Sequence, residues 1–336
     1  MTDLPIEQLI RAQSVIHIPG MVIPPGVSAV LGPGRLERLA FESWRQLDPS
    51  FPDEERSYVK SEPVFWVGPG PDPTEDWVKG LQQQSNLLHA ALLLGPHQPW
   101  LPSPLLSCSY LTYPVQESGN TLIEPLRFIG PLEREMLLYG SEIRVHYSDI
   151  DLTRLNQLFS WLESYGNPFE LEGTCRAMQV LERTTRPDGT RGFHPGFSTN
   201  EFIQAIPAAE SLLLPEVTGK NKMDHLGQQA AVLTALFNEP SIPDPASLKT
   251  LAAEWREIYR MRNRLLHGLT SLEALDAANL GRLAMARSLL VWIVFATLAL
   301  DLCMRTDSSS LSAILAEAFN DAEAFHRLTQ RTSEVP

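Results

Sequence analysis

Cysteine is scarce in this 336-residue chain. The three present, Cys108, Cys175 and Cys303, show no metal-ligand spacing and cannot all pair, which argues against a disulfide scaffold and for a reducing, cytoplasmic setting. The opening residues, Met1-Thr-Asp-Leu-Pro, lack a basic segment followed by an apolar core, so no signal peptide is expected. Long hydrophobic runs are also missing. The most apolar stretch, Leu289 to Leu300, falls short of the roughly 20 residues that span a bilayer. It reads as a helix buried on all sides, or as the seam of a dimer, with no membrane partner. Positive charge is in short supply: 27 Lys and Arg face 40 Asp and Glu, for a net −13, which speaks against non-specific coating of nucleic acid. Two glycine–proline segments, Gly32-Pro33-Gly34 and Gly68-Pro69-Gly70-Pro71-Asp72-Pro73, have neither the consecutive free N–H groups nor the Lys-Ser/Thr of a phosphate loop, so they read as turns. Histidines 17, 89, 97, 146, 194, 225 and 326 show no ligand spacing, and neither a metal nor a cofactor is expected.

What the chain does contain is a globular composition, 43% hydrophobic and 20% charged, at a length that suits two domains. The expected fold class is α+β: an irregular α+β domain over 1–146, followed by a helical domain over 147–330 whose core is 199–330. Most of the 27 prolines lie before residue 130. In the first part, Arg35 to Leu47 reads as a short helix, Ser61 to Val67 as a strand, and Thr74 as the cap of a helix running through Trp77 to Leu94. Leu105 to Val115 and Glu135 to His146 read as strands. Asp149 or Asp151 starts a helix over Leu152 to Tyr165, and a second follows over Phe169 to Arg183. This pair is either a layer on the helical domain or the end of the first one. From there the spacing predicts helices over 199–214, 223–238, 245–268, 272–305 and 309–328, joined by short loops as in an antiparallel bundle.

The segment 244–268 carries the chemistry. Asp244 suits an N-cap, Pro245 the first helical position, and Gly268 the left-handed residue that stops a helix. Between them Leu248, Leu251, Ala252, Trp255, Ile258, Tyr259, Leu265 and Leu266 give the spacing of one buried face. At about 100° per residue, Arg262 falls within that apolar stripe. Such an arginine must be paired, reach out of the core, or meet a partner surface. On one flank Lys249, Arg256, Arg260, Asn263 and His267 align within roughly 60°. Residues 249–305 hold 8 Lys and Arg against 5 Asp and Glu, a local +3 that leaves −16 for the rest. This is either a basic site on an acidic body or an ordinary fluctuation.

Arg262-Asn-Arg-Leu-Leu-His267 resembles the Arg-polar-three-residues-His motif of HEPN domains, the higher eukaryote and prokaryote nucleotide-binding fold. Tyr259 before it and Gly268 after it are similar to the Apea-like branch. So is the earlier segment Ala208-Ala-Glu-Ser-Leu-Leu-Leu-Pro215, where a Glu follows small residues and precedes leucines. The resemblance covers about 199–330. It implies a helical bundle and a metal-independent endoribonuclease with a composite site at a homodimer interface, working as a toxin or anti-phage effector. His267 would move protons, since imidazole titrates near pH ~6.5. Arg262 would hold the developing phosphorane charge, and Asn263 would orient His267 or the phosphate. Glu210 would pair with Arg262, while Lys249, Arg256, Arg260 and Arg264 would bind RNA.

Plainer readings stand beside these. Arg262 with Glu210 could be a buried ion pair between two helices, and His267 an imidazole capping the last helical carbonyls. Arg183, Arg186, Arg191, Phe193, His194 and Phe197 near the loop 184–198 could grip unpaired RNA or simply decorate a surface. The alternatives to a nuclease are a non-catalytic RNA- or nucleotide-binding module and a dimerising regulatory module. Residues 1–146 would then sense a trigger or bind a regulatory partner.

Overall fold

Period-two burial identifies the central strand of the first unit: Ser14, Ile16 and Ile18 are all buried. A computed structural model of the chain describes residues 13–18, 21–38, 64–69, 77–95, 108–114, 121–126, 145–185, 199–214, 221–238, 245–269, 277–300, 302 and 309–336. The strands are β1 (Gln13–Ile18), β2 (Met21–Val22), β3 (Ala29–Leu31), β4 (Gly34–Arg38), β5 (Val64–Pro69), β6 (Cys108–Pro114), β7 (Thr121–Leu126) and β8 (Val145–His146). Six of them form an antiparallel sheet in the order β3-β4-β5-β1-β6-β7, with Ile16 opposite Trp66 on one side and Ser109 on the other. β2 and β8 form a separate parallel pair.

Two helices accompany this sheet, α1 (Trp77–Leu94) and α2 (Asp149–Tyr165). The Ser14 hydroxyl donates to Gln84 at 2.9 Å, which fixes α1 to β1. Between β3 and β4 the chain turns on Gly32 and Pro33. Gly32 has φ 58° and the proline ring holds φ negative, the sign pattern of a type II′ hairpin turn. The Gly32 N–H donates to Asn156 of α2 at 2.9 Å.

The remaining helices are α3 (Glu172–Thr185), α4 (Thr199–Leu213), α5 (Lys222–Asn238), α6 (Pro245–Leu266), α7 (Ala277–Ala299), α8 (Ser309–Asn320) and α9 (Ala322–Thr332). The chain divides into two compact units, Met1–Asn167 with Arg186–Pro195, and Pro168–Thr185 with Gly196–Pro336. The first is α+β and the second all-helical. The helices α2 and α3 therefore fall in different units. In the second unit the part of α7 from Leu289 on is buried nearly all round, through Leu289, Leu290, Trp292, Ile293, Val294, Ala296 and Leu298, as its composition requires. Among the described residues no helix is long and apolar enough to cross a membrane.

Several local expectations are corrected. Residues 34–38 are a strand, not the start of a helix over Arg35 to Leu47, because Leu36 points into the core between residues that do not. The rest of that segment lies outside the described residues, as do 135–144 and 186–198. The N-cap of α2 is Ser148, whose hydroxyl accepts from the Asp151 N–H while the Asp151 carboxylate accepts from Ser148, a capping box. The last expected helix is two, because Asp321 adopts an extended conformation and caps α9 through the Glu323 N–H.

The pairing of α5 with α6 sets the position of everything that follows. Trp255 of α6 is buried, and its indole N–H donates to the Thr234 hydroxyl at 2.8 Å. That hydroxyl in turn donates to the Ala230 carbonyl at 2.7 Å. Gly227 of α5 lies so close to α6 that a Cβ there would sit 2.9 Å from the Ala252 carbonyl oxygen. Gly227→Ala should therefore lower stability. Overpacking costs about 1–3 kcal/mol, against at most ~1 kcal/mol gained in helix propensity. A melting temperature equal to or above wild type would contradict this tight approach.

Candidate functional site

The buried face of α6 rotates as the helix proceeds. Near its start the core side is Leu248, Ala252 and Trp255; near its end it is Ile258, Met261 and Leu265. The line Trp255, Tyr259, Arg262, Leu266 lies on one face by spacing, and it emerges from the core step by step. Trp255 is 2% exposed, Tyr259 and Arg262 are half-buried, and Leu266 is 46% exposed. Leu266, expected on the buried face, is thus on the surface, followed by Leu269 at 70%. Arg262 sits where the core gives way to solvent.

At that edge Arg262 is held by its neighbour. Its Nη1 donates to the Asn263 side-chain oxygen at 2.8 Å. A guanidinium can only donate, so the amide atom facing it must be the oxygen, and the Asn263 amide nitrogen is turned outward. The Nε of Arg262 is buried and has no hydrogen-bond partner among the described residues. Leaving such a donor unsatisfied costs about 1–3 kcal/mol, and its burial closes it to solvent, so only the outer edge of the half-buried guanidinium can meet a ligand in this conformation.

Glu210 comes from α4, which packs against α6. Its carboxylate does not pair with Arg262. The Tyr259 hydroxyl donates to it at 2.8 Å instead. Burial raises the Tyr259 pKa above its ordinary value near 10; the hydrogen bond to Glu210 and the Glu210 charge push the same way, and the Arg262 charge opposes them. The ion-pair reading of Glu210 and Arg262 is therefore replaced by a Tyr259–Glu210 hydrogen bond, with Arg262 turned to Asn263.

His267 is exposed and follows the last residue of α6. Gly268, at φ 66°, takes the left-handed conformation that ends the helix. The Gly268 N–H donates to the Leu265 carbonyl at 3.1 Å and the Leu269 N–H to the Arg264 carbonyl at 2.8 Å, the two bonds of a Schellman cap. The His267 N–H itself reaches the Asn263 carbonyl at 3.0 Å. These terminal carbonyls are satisfied by backbone donors, so the imidazole does not serve as their cap.

The expected RNA-binding strip divides in two. Arg256 pairs with Asp224 of α5 at 3.2 Å and Arg260 with Glu257 at 3.0 Å. Both pairs are solvent-exposed and worth about 1 kcal/mol or less each, so phosphate can displace the carboxylates. Lys249 and Arg264 are exposed and have no carboxylate partner among the described residues. Arg264 lies beside the cluster, whereas Lys249 is thirteen residues before Arg262, about 20 Å along the helix axis. It can meet only flanking nucleotides. Among the described residues no group of three or more His, Cys, Asp or Glu side chains could hold a metal ion. Tyr259 is the member that residue spacing alone did not place in the site. Its signal was a phenol one turn before Arg262, on a face shared with a glutamate-bearing helix.

Compared with known proteins, the chain matches no family model, and neither a curated protein nor a solved structure matches it. The functional reading therefore rests on this cluster.

The raised Tyr259 pKa has a measurable consequence. Because the folded value exceeds the unfolded one, the protonated phenol contributes stability that is fully present below about pH 10. That contribution is lost as pH rises through the folded value. The ultraviolet titration of wild type minus that of Tyr259→Phe should show a tyrosinate step displaced above pH ~10. A step at or below that pH would contradict the placement of Tyr259 beside Glu210.

Proposed function

We propose that the chain is a metal-independent endoribonuclease of HEPN type, which cuts RNA by attack of the 2′-hydroxyl on the adjacent phosphorus. The observation that carries this reading is Arg262, half-buried at the edge of the core and anchored through one nitrogen to Asn263, close in sequence to an exposed histidine at the end of the same helix. A guanidinium in that state is a preorganised phosphate donor.

The reaction follows from these groups. The neutral His267 imidazole takes the proton of the 2′-hydroxyl as O2′ attacks phosphorus. Arg262, aided by the outward Asn263 amide, balances the charge on the non-bridging oxygens of the phosphorane. The P–O5′ bond breaks and the 5′-oxygen leaves with a proton, giving a 2′,3′-cyclic phosphate and a 5′-hydroxyl. A second imidazole, in its protonated form, suits the last proton transfer. A homodimer that brings two copies of the motif into one cleft supplies it. Exposed Leu266 and Leu269 beside the site suit such pairing. Arg256, Arg260, Arg264 and Lys249 then bind the flanking backbone. Such an enzyme would restrict growth as a toxin or anti-phage effector, with residues 1–146 sensing its trigger.

Purified protein incubated with total RNA should cleave it equally with and without EDTA, leaving cyclic phosphate ends. His267→Ala and Arg262→Ala should each slow cleavage about 100-fold or more. RNA bound without turnover would point to a binding module instead. Cleavage unchanged in both variants would overturn the assignment.

A further inference from the structure

We infer that Tyr259 is a positioning residue, whose hydroxyl holds Glu210 and so keeps that carboxylate off the Arg262 guanidinium. The inference rests on the reading of Arg262 as the phosphate-binding group. It adds a residue, and a reason why the arginine stays available.

The problem it solves is one of competition. Glu210 and Arg262 come from two packed helices and both border Tyr259: the phenol donates to Glu210 at 2.8 Å and feels the positive charge of Arg262. A carboxylate and a guanidinium that border the same side chain can form a two-pronged pair, the strongest contact open to an arginine. Here no such pair forms. The guanidinium gives one nitrogen to Asn263, and its buried Nε is left without an acceptor. The glutamate is occupied by a neutral donor instead. A phenol suits this task because it satisfies a carboxylate oxygen without supplying charge. With its pKa raised, it remains a donor throughout the neutral range.

Removing the hydroxyl should release the brake. In Tyr259→Phe the ring still fills its place on α6, but Glu210 loses its partner and can turn onto Arg262. The first readout needs no ligand. The Arg262 Nε–H resonance in a nitrogen-15 spectrum of the free full-length protein should move downfield and exchange more slowly in Tyr259→Phe. It should return to its wild-type position when Glu210→Gln is added, because a neutral amide competes less for the guanidinium. The second readout is affinity for a 2′-O-methyl RNA oligonucleotide, which cannot be cleaved for want of a free 2′-hydroxyl. It should weaken about tenfold or more in Tyr259→Phe and recover most of that loss in the double variant. A merely structural role for Tyr259 would give a loss that Glu210→Gln does not reverse.

The outcomes separate the two claims. An Nε–H signal that is the same in Tyr259→Phe as in wild type overturns the positioning role. A signal that moves and is restored, with oligonucleotide affinity flat across all three proteins, upholds the Tyr259–Glu210 device and overturns the phosphate-binding reading of Arg262.

Discussion

An arginine at the rim of a hydrophobic core is the constraint on which this structure turns. Its position follows from a mismatch along α6. The residues that bury late in the helix, Ile258, Met261 and Leu265, do not continue the line through Trp255, so the line through Tyr259 and Arg262 drifts out of the core. Had that line stayed buried, Arg262 would need a full set of partners. Had it been exposed from the start, the side chain would be free to sample many conformations. Half-burial narrows that choice, with Asn263 as the anchor and a buried Nε that finds no acceptor among the described residues. The remainder of the helical unit supports that placement. Trp255 is bonded into α5 through Thr234, and the absence of a side chain at Gly227 lets the two helices close on each other.

The proposed site draws on the resting state of Arg262. A buried donor without an acceptor is unfavourable in the resting protein, and native proteins tolerate such groups mainly where function requires them. On the proposed reading, phosphate would meet the outer edge of the guanidinium, which Asn263 holds in place. The surrounding cations are arranged in a compatible way, since the pairs Arg256–Asp224 and Arg260–Glu257 are exposed and exchange at little cost. On the proposed reading, a chain of net charge −13 would thereby keep a local site for polyanions without becoming a general nucleic-acid binder.

Much of the helical unit was legible in the sequence, because its signals are local. Pro245 and Gly268 bracket α6, and the spacing of apolar residues gave α4, α5 and the all-round burial of α7 to within a few residues. The misses have physical causes. The strands β1 and β2 are six and two residues long and pair across long stretches of chain, as with Gln13 and Pro69 or Met21 and Val145, so no local window contains their partners; β3 and β4 meet in a local hairpin, but are only three and five residues long. The short run at 34–38 holds only one buried side chain inside its strand, Leu36, too little to reveal a period of two. Asp321 was hidden inside an apolar helical pattern that continues on either side of it. Around Arg262, helix geometry placed Arg262 and Asn263 on α6 and His267 just past its end. It could not show that the apolar face rotates, nor that Glu210 would choose a phenol over a guanidinium. Those outcomes depend on how α4 and α6 pack, which no single helix specifies.

The most direct measurement is a titration of the isotope-labelled protein with a 2′-O-methyl RNA oligonucleotide, following the Arg262 Nε–H and His267 ring Cε1–H resonances together. Both should shift with one common dissociation constant, which should weaken as salt rises because phosphate contacts release counterions. Saturable binding of the oligonucleotide that leaves both resonances in place would show that RNA is held elsewhere, and would contradict the account at its centre.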